Sequence, residues 1–374
     1  MDQALGMVDE VVGLAGFLGA AFGWFQAVPW LAPAVFIAAL GVMAWRVWKL
    51  VGLGAAADEA PGPDFKRLQS LSVRKFVPWL KENLRGHDAI IDEIAEILDQ
   101  GLALAKQGRT LGAFFLAGPT GTGKTFIAQL LSQALFPESE PLVLRMNQFK
   151  HPDDVFTLIG PPPGVRGFEL GGALTRPVLE NPCRVVLLDE LEKAHRDVHH
   201  CLYDILDTGQ CREKSSGRPV SFAGCLFVAT SNAGVEELRA AGDAEQDKAA
   251  RQGRFLDALA RTGLFEKPFL ARFTGGILLM DELDPLRVAE VACLKLARRL
   301  REYGMDLVFT SPAVLLEAVQ KNEEFKGYGV RQIGAYLEHK TDGAIALARR
   351  EGRKKVSLDI DASGRITINP VDAP

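Results

Sequence analysis

The octet GPTGTGKT, residues 118–125, follows the apolar run AFFLA and opens a stretch of helical period. Strand, glycine loop, helix is the order a phosphate loop needs. Gly118, Gly121 and Gly123 allow backbone N–H groups to turn inward, with Pro119, Thr120 and Thr122 completing the turn. Lys124 then reaches the β- and γ-phosphate oxygens, the Thr125 hydroxyl coordinates Mg²⁺, and the helix N-terminus adds its dipole. The implied ligands are ATP and Mg²⁺. A second apolar run, VVLLDE (185–190), ends on two adjacent acids. At the C-terminal end of a buried strand beside a phosphate loop, Asp189 can hold Mg²⁺ through water and Glu190 can polarise the attacking water. A third run ends in ATSNAG (229–234), where the Asn232 amide is suited to orienting that water. Together these residue types specify hydrolysis of a phosphoanhydride.

Such groups must be presented by a rigid frame. AFFLAG (113–118), LVLRM (142–146), RVVLLD (184–189), CLFVAT (225–230) and GILLM (276–280) are continuous apolar runs, the pattern of strands buried on both faces. Between them a helical period is kept by Phe126/Ile127, Leu130/Leu131 and Ala134/Leu135, and again by Ala194, Val198, Leu202 and Ile205. The expected fold is α/β, a parallel sheet with helices on both faces over residues 85–280. Beyond Asp281 the texture changes to amphipathic helices at Pro285–Arg301, Ser311–Gln320 and Val330–Glu351 around a short DLVF strand. The run KVSLDIDASGRITIN alternates on either side of Ser-Gly and reads as a hairpin, so residues 281–374 are expected to be a smaller α+β domain.

The first fifty residues differ from the rest. From Val11 to Trp45 no side chain is charged. As one helix those 35 residues would measure ~52 Å against a hydrocarbon core of ~30 Å. Gln26, Pro29 and Pro33 fall mid-run, which suits a hairpin of Val11–Val28 and Leu31–Leu53, or one span and one interfacial segment. Trp24, Trp30, Trp45 and Trp48 are placed as interfacial anchors, and Arg46 with Lys49 would face the cytoplasm. Residues 1–53 are therefore expected to be a membrane anchor with lipid as a partner, in a bacterial inner membrane, with the phosphate-loop domain in the cytoplasm. Residues 54–84 read as a linker and juxtamembrane helix. A net charge of −4 gives no reason to expect nucleic acid. The five cysteines are scattered without a C-x-x-C and read as small core hydrophobes. His195 and His199 lie one turn apart but lack a third ligand at metal spacing.

GPTGTGKT, LLDELEKAHRDV, ILDTGQ and ATSNAG, in this order, resemble the AAA+ ATPases of the ClpA/ClpB class, specifically their second ATPase module. The resemblance runs from about residue 80 to the C-terminus. It implies a P-loop AAA+ sheet with a C-terminal lid, and self-assembly into a ring, usually a hexamer, that hydrolyses ATP at subunit interfaces to pull on a protein client. It makes Arg272, in KPFLARF, the arginine that reaches the neighbour's site, and Arg331, in GYGVRQI, a nucleotide sensor of the lid. It also gives a role to GPPPGVRGFELGG (160–172), the segment that in this class projects into the central pore. The class carries a tyrosine after the proline-glycine; here Val165 stands there, with Gly164, Gly167, Gly171 and Gly172 kept, Phe168 in place of a second aromatic, and Arg166 adding charge. The expected result is a pore edge with a weakened grip. A hydrophobic N-terminus before a single module is similar in plan to the torsins, which also lack the tyrosine but borrow their arginine finger. Two functions are open: remodelling, disassembly or extraction of proteins at the cytoplasmic membrane face, or an ATP-gated assembly platform that threads nothing.

Overall fold

The computed structural model describes residues 62–235, 248–324 and 329–371. The expected membrane segment, residues 1–53, lies outside the described residues. Among the described residues no helix is long and apolar enough to cross a membrane.

Five parallel strands form the main sheet in the order β2-β3-β6-β1-β7. They are β1 (Gly112–Ala117), β2 (Leu142–Arg145), β3 (Arg184–Asp189), β6 (Cys225–Ser231) and β7 (Ile277–Leu279). Every residue of β1 and β6 is buried, which is why those runs carry no polar alternation. β2 departs from that expectation: only Leu144 is buried, because the strand lies at the sheet edge with a neighbour on one side.

Alternate residues sort to the two faces. Phe114, Leu116, Val185, Leu187, Leu226 and Val228 share one core with the helices that cover that face. On the opposite face, Phe115 meets the rings of Phe265 and Phe273 edge-on at 5.4 and 5.2 Å. The covering helices of the first face begin with α1 (Phe65–Ser70), α2 (Val77–Asn83) and α3 (Asp88–Ala103), followed after β1 by α4 (Lys124–Leu135). α3 buries Ile91, Ile94, Ala95, Leu98 and Leu102, a helical stripe absent from the sequence expectations.

Residues 65–84 correct the expected linker and juxtamembrane helix. Leu68, 1% exposed, and Val73, fully buried, belong to the same core as the sheet. The Asp99 carboxylate accepts from Val73 N at 2.6 Å and pairs with Arg74 at 3.0 Å, tying this stretch to α3. The apolar residues between the basic ones decide the packing.

The remaining elements before the second core are α5 (Asp154–Ile159), α6 (Thr175–Glu180), α7 (Arg196–Thr208), the hairpin β4 (Gln210–Arg212) with β5 (Pro219–Ser221), α8 (Lys248–Arg261) and α9 (Lys267–Leu270). After Met280 the chain leaves the first core and enters another with no buried residue in common. It is built from α10 (Pro285–Glu302), β8 (Asp306–Thr310), α11 (Pro312–Glu324), α12 (Gly329–Arg350), β9 (Lys355–Ile360) and β10 (Ile366–Pro370). β9 and β10 are antiparallel, β8 and β9 parallel. The turn between β9 and β10 is fixed by Asp361, whose carboxylate accepts from the N–H groups of Ser363 and Arg365.

Candidate nucleotide site

The glycine loop leaves β1 at Ala117 and enters α4 at Lys124. A Cβ on Gly118 would lie 2.3 Å from the Met280 carbonyl oxygen, so only glycine lets the chain pass beside the end of β7. Gly123 occupies the N-cap of α4 at φ 100°, a conformation that points the first N–H groups of the helix into the loop. Thr122 closes the turn by donating from its hydroxyl to the Pro119 carbonyl at 3.1 Å. The buried His87 donates from Nε2 to the Thr122 carbonyl at 3.0 Å. Burial holds its imidazole below the usual histidine range.

Lys124 is 8% exposed, and its ammonium donates to the carbonyls of Gly118 and Pro119, both at 2.6 Å. Burial pushes it down to about 8, against the pull of Glu192 and Asp189, while the charge of Arg331 adds to the lowering. A cation folded over its own glycine loop and short of solvent fits a polyphosphate: phosphate oxygens would take the place of the two carbonyls.

Three motif ends meet at one carboxylate. Asp189 Oδ1 accepts from the Thr125 hydroxyl at 3.0 Å and from the Thr230 hydroxyl at 2.7 Å. Thr230 in turn accepts from Glu190 N at 3.0 Å. The phosphate helix, the end of β3 and the end of β6 are thereby locked in one arrangement. The pair Thr125 Oγ1 and Asp189 is the hard-oxygen donor set that suits Mg²⁺. Glu190 has φ 57°, the one non-glycine residue at positive φ among the described residues. That left-handed backbone turns its carboxylate out of the strand direction. The carboxylate pairs with Lys193 at 2.7 Å. Asn232 follows β6, and its backbone N–H donates to Glu192 Oε1 at 3.3 Å.

Lys124, Thr125, Asp189, Glu190 and Asn232 are thus gathered at the C-terminal ends of β1, β3 and β6, with the charge of Arg331 on α12 felt at Lys124. Glu192 was missed in the sequence. It is the acid that acts most strongly on Lys124, and its Oε2 is buried without a hydrogen-bond partner. An adjacent cavity of about 290 Å³ was missed as well, lined by Leu84, Thr122, Phe126, Leu283, Val291 and Arg298. Its walls come from α2, the loop, α4 and α10, so no local motif announces it. Arg298 closes one side, 4.7 Å over the Phe126 ring and donating to Asn83 Oδ1 at 2.8 Å.

Arg272 is not part of this cluster. Its guanidinium donates to the Tyr203 hydroxyl at 2.6 Å, pairs with Asp207 at 3.1 Å, and lies 4.7 Å over the Tyr203 ring. The 160–172 loop is also separate. Gly164, Val165 and Arg166 are exposed at its tip, and Gly167 leads into a 3₁₀ turn, Phe168–Leu170. Val165 is 48% exposed and Leu170, unmarked in the sequence, 80%. The loop borders a groove of about 830 Å³. Its root is held by Glu213, 2% exposed, which accepts from Gly172 N (3.2 Å), Thr175 (3.0 Å) and Ser216 (2.6 Å). Of the histidines, His195 caps α7 by accepting from Asp197 N, and His199 is stacked on Phe269.

Residues 109–275 match the family model described as AAA domain (Cdc48 subfamily). The chain is 38% identical over 293 residues to the ATP-dependent Clp protease ATP-binding subunit ClpE of Lactococcus lactis subsp. lactis, covering 76% of this chain and 38% of that protein. It is 32% identical over 295 residues to the chaperone protein ClpB of Nitratidesulfovibrio vulgaris, covering 75% of this chain and 33% of that one. The ClpE of Bacillus subtilis is 34% identical over 252 residues, 66% of this chain and 35% of its own length. The chain therefore spans little more than a third of the length of these relatives. The glycine loop, the acid pair and the amide-bearing strand end all fall within the matched region, and the chain carries an AAA+ ATPase module of the Clp/ClpB class.

Proposed function

We propose that the chain is a membrane-anchored AAA+ ATPase that assembles into a ring and couples ATP hydrolysis to remodelling, disassembly or extraction of proteins at the cytoplasmic face of a membrane. The observation that carries the ATPase reading is the Asp189-centred network, which joins Thr125, Thr230 and Glu190. In this reading Gly118–Gly123 and Lys124 cradle the phosphates, and the cavity beside Phe126 takes the adenine. Thr125 and Asp189 hold Mg²⁺, which when bound supplies positive charge to the β- and γ-phosphate oxygens. Glu190 accepts a proton from the attacking water, which requires its carboxylate to leave Lys193, and Asn232 orients the water. Arg331 senses the nucleotide from α12, and Arg272 serves the site of the next subunit. The charge-free stretch from Val11 to Trp45 supports the anchor, hence lipid as a partner and a bacterial inner membrane as the location. In the full chain, Glu190→Gln is expected to bind ATP without releasing phosphate; phosphate release at the parental rate rejects the assignment.

The assembly-platform reading draws on Val165, which brings far less area to a threaded backbone than an aromatic ring would. The two readings part on ATP turnover with and without an unfolded protein. Stimulation supports remodelling, and a flat response supports the platform.

A further inference from the structure

We propose that Tyr203 and Asp207 are positioning residues for Arg272, fixing its guanidinium at the subunit rim in the direction in which it is offered to the next copy of the chain. The inference rests on the reading of Arg272 as the arginine delivered across the interface.

Among the described residues, the polar and ring contacts of the Arg272 side chain are to one helix, α7. Nη2 donates to the Tyr203 hydroxyl at 2.6 Å, Nε lies 3.1 Å from Asp207 Oδ1, and Cζ sits 4.7 Å over the Tyr203 ring. Tyr203 and Asp207 are four residues apart on α7, so they share a face and act as the two sides of one clamp. The ring fixes the plane of the guanidinium by cation–π contact, and the hydroxyl fixes its rotation within that plane by a hydrogen bond, while the Asp207 carboxylate holds the Nε edge by charge without a hydrogen bond. These contacts use Nε and Nη2, while the side chain keeps about a third of its surface exposed (35%), so charge and donors remain for a neighbour. An arginine that must meet a developing charge gains rate only if its direction is set beforehand; a long free side chain would spend most of its time elsewhere.

The same helix is anchored to the acid turn. His199 on α7 donates from Nε2 to the Leu191 carbonyl at 3.0 Å, one residue beyond Glu190. Its ring stacks on Phe269 at 5.2 Å, three residues before Arg272. α7 is therefore a splint with the subunit's own acids at one end and the exported arginine at the other. The orientation of Arg272 is referred to the sheet rather than to the short α9 turn that carries it.

Steady-state ATP turnover of the full chain tests this. Tyr203→Phe keeps the ring under the guanidinium and removes only the hydroxyl. It is expected to lower kcat about tenfold, the worth of a hydrogen bond to a charged group, with KM for ATP changed less than about twofold. Asp207→Asn is expected to act in the same direction. Arg272→Ala sets the floor, and in that background neither substitution lowers turnover further. Three outcomes overturn the clamp while leaving the finger reading intact: an unchanged kcat in both variants beside an inactive Arg272→Ala, an increase in either variant, or an equal loss in the Arg272→Ala background. Parental turnover by Arg272→Ala itself overturns the finger reading, and the positioning role falls with it.

Discussion

The nucleotide pocket and the 160–172 loop are built on opposite plans. In the pocket, side chains from separate motifs already hold one another: Lys124 on the carbonyls of its own loop, Thr125 and Thr230 on Asp189. In the loop, the apolar side chains of Val165 and Leu170 stand in solvent, and the side-chain hydrogen bonds that tie it to the rest of the molecule lie at its root, from Gly172 N to Glu213 and from Ser215 Oγ to the Pro161 carbonyl. A site that performs chemistry gains from geometry fixed before the ligand arrives. A surface that meets many different side chains needs a free tip on a fixed base. Glu213 supplies that base by joining the loop to the β4–β5 hairpin through hydrogen bonds rather than through apolar packing.

The contrast is broken most severely at Lys124. Lys124→Ala is expected to weaken ATP binding more than about 100-fold, since a buried charge-assisted contact to phosphate has no substitute. A fluorescent-nucleotide titration measures this, and an unchanged affinity would place the phosphates elsewhere. Next in size is Glu213→Ala, which strands the buried Gly172 N–H and Thr175 hydroxyl at a cost of about 1–3 kcal/mol for each, while the exposed Ser216 hydroxyl can turn to water. Glu213→Gln keeps an acceptor and should lose much less. Denaturant midpoints separate the two, and equal stability of all three proteins would mean the root is held by something else.

A smaller effect is expected at the tip. Leu170→Ser should lower, and Val165→Tyr raise, the stimulation of ATP turnover by an unfolded protein, each about twofold, following the apolar area offered. Identical stimulation in parent and variants would remove the tip from client contact. The smallest effect is one of pH at His199. Burial holds its pKa below the ordinary 6.5, so the unfolded chain binds the proton more readily, and stability is lost as pH falls below 6.5 towards the lowered value. His199→Phe keeps an aromatic ring against Phe269 and removes that loss. The gap in thermal midpoint between parent and variant should therefore narrow from pH 7.5 to 5; a constant gap would show that His199 is not the group responsible.

Much of the pocket was legible because its residues are local in the chain. GPTGTGKT, VVLLDE and ATSNAG each carry their own strand, so a motif and its mount are read together. Glu192 escaped because its position near Lys124 depends on the 3₁₀ turn after β3, which no periodicity marks. The cavity beside Phe126 escaped because four separate elements wall it. Packing of residues 65–84, expected as the juxtamembrane helix, was not legible because charge is prominent in that stretch, whereas Leu68, Val73, Leu80 and Leu84, which decide its packing, are spaced irregularly across two short helices and a turn. The hairpin β4–β5 is three residues a side, below the length at which alternation is recognisable. Leu170 looked like one more apolar residue until its exposure was seen.

The left-handed backbone of Glu190 has a consequence for engineering. A side chain at that φ costs about 1 kcal/mol that glycine would not. Selection of random variants for heat resistance alone should therefore favour glycine at this position, and with it a protein that melts later and turns nothing over. The residue that disfavours the resting fold is the one to which the proposed reaction assigns the water's proton, so in that reading thermal robustness and catalytic competence pull in opposite directions at a single peptide unit.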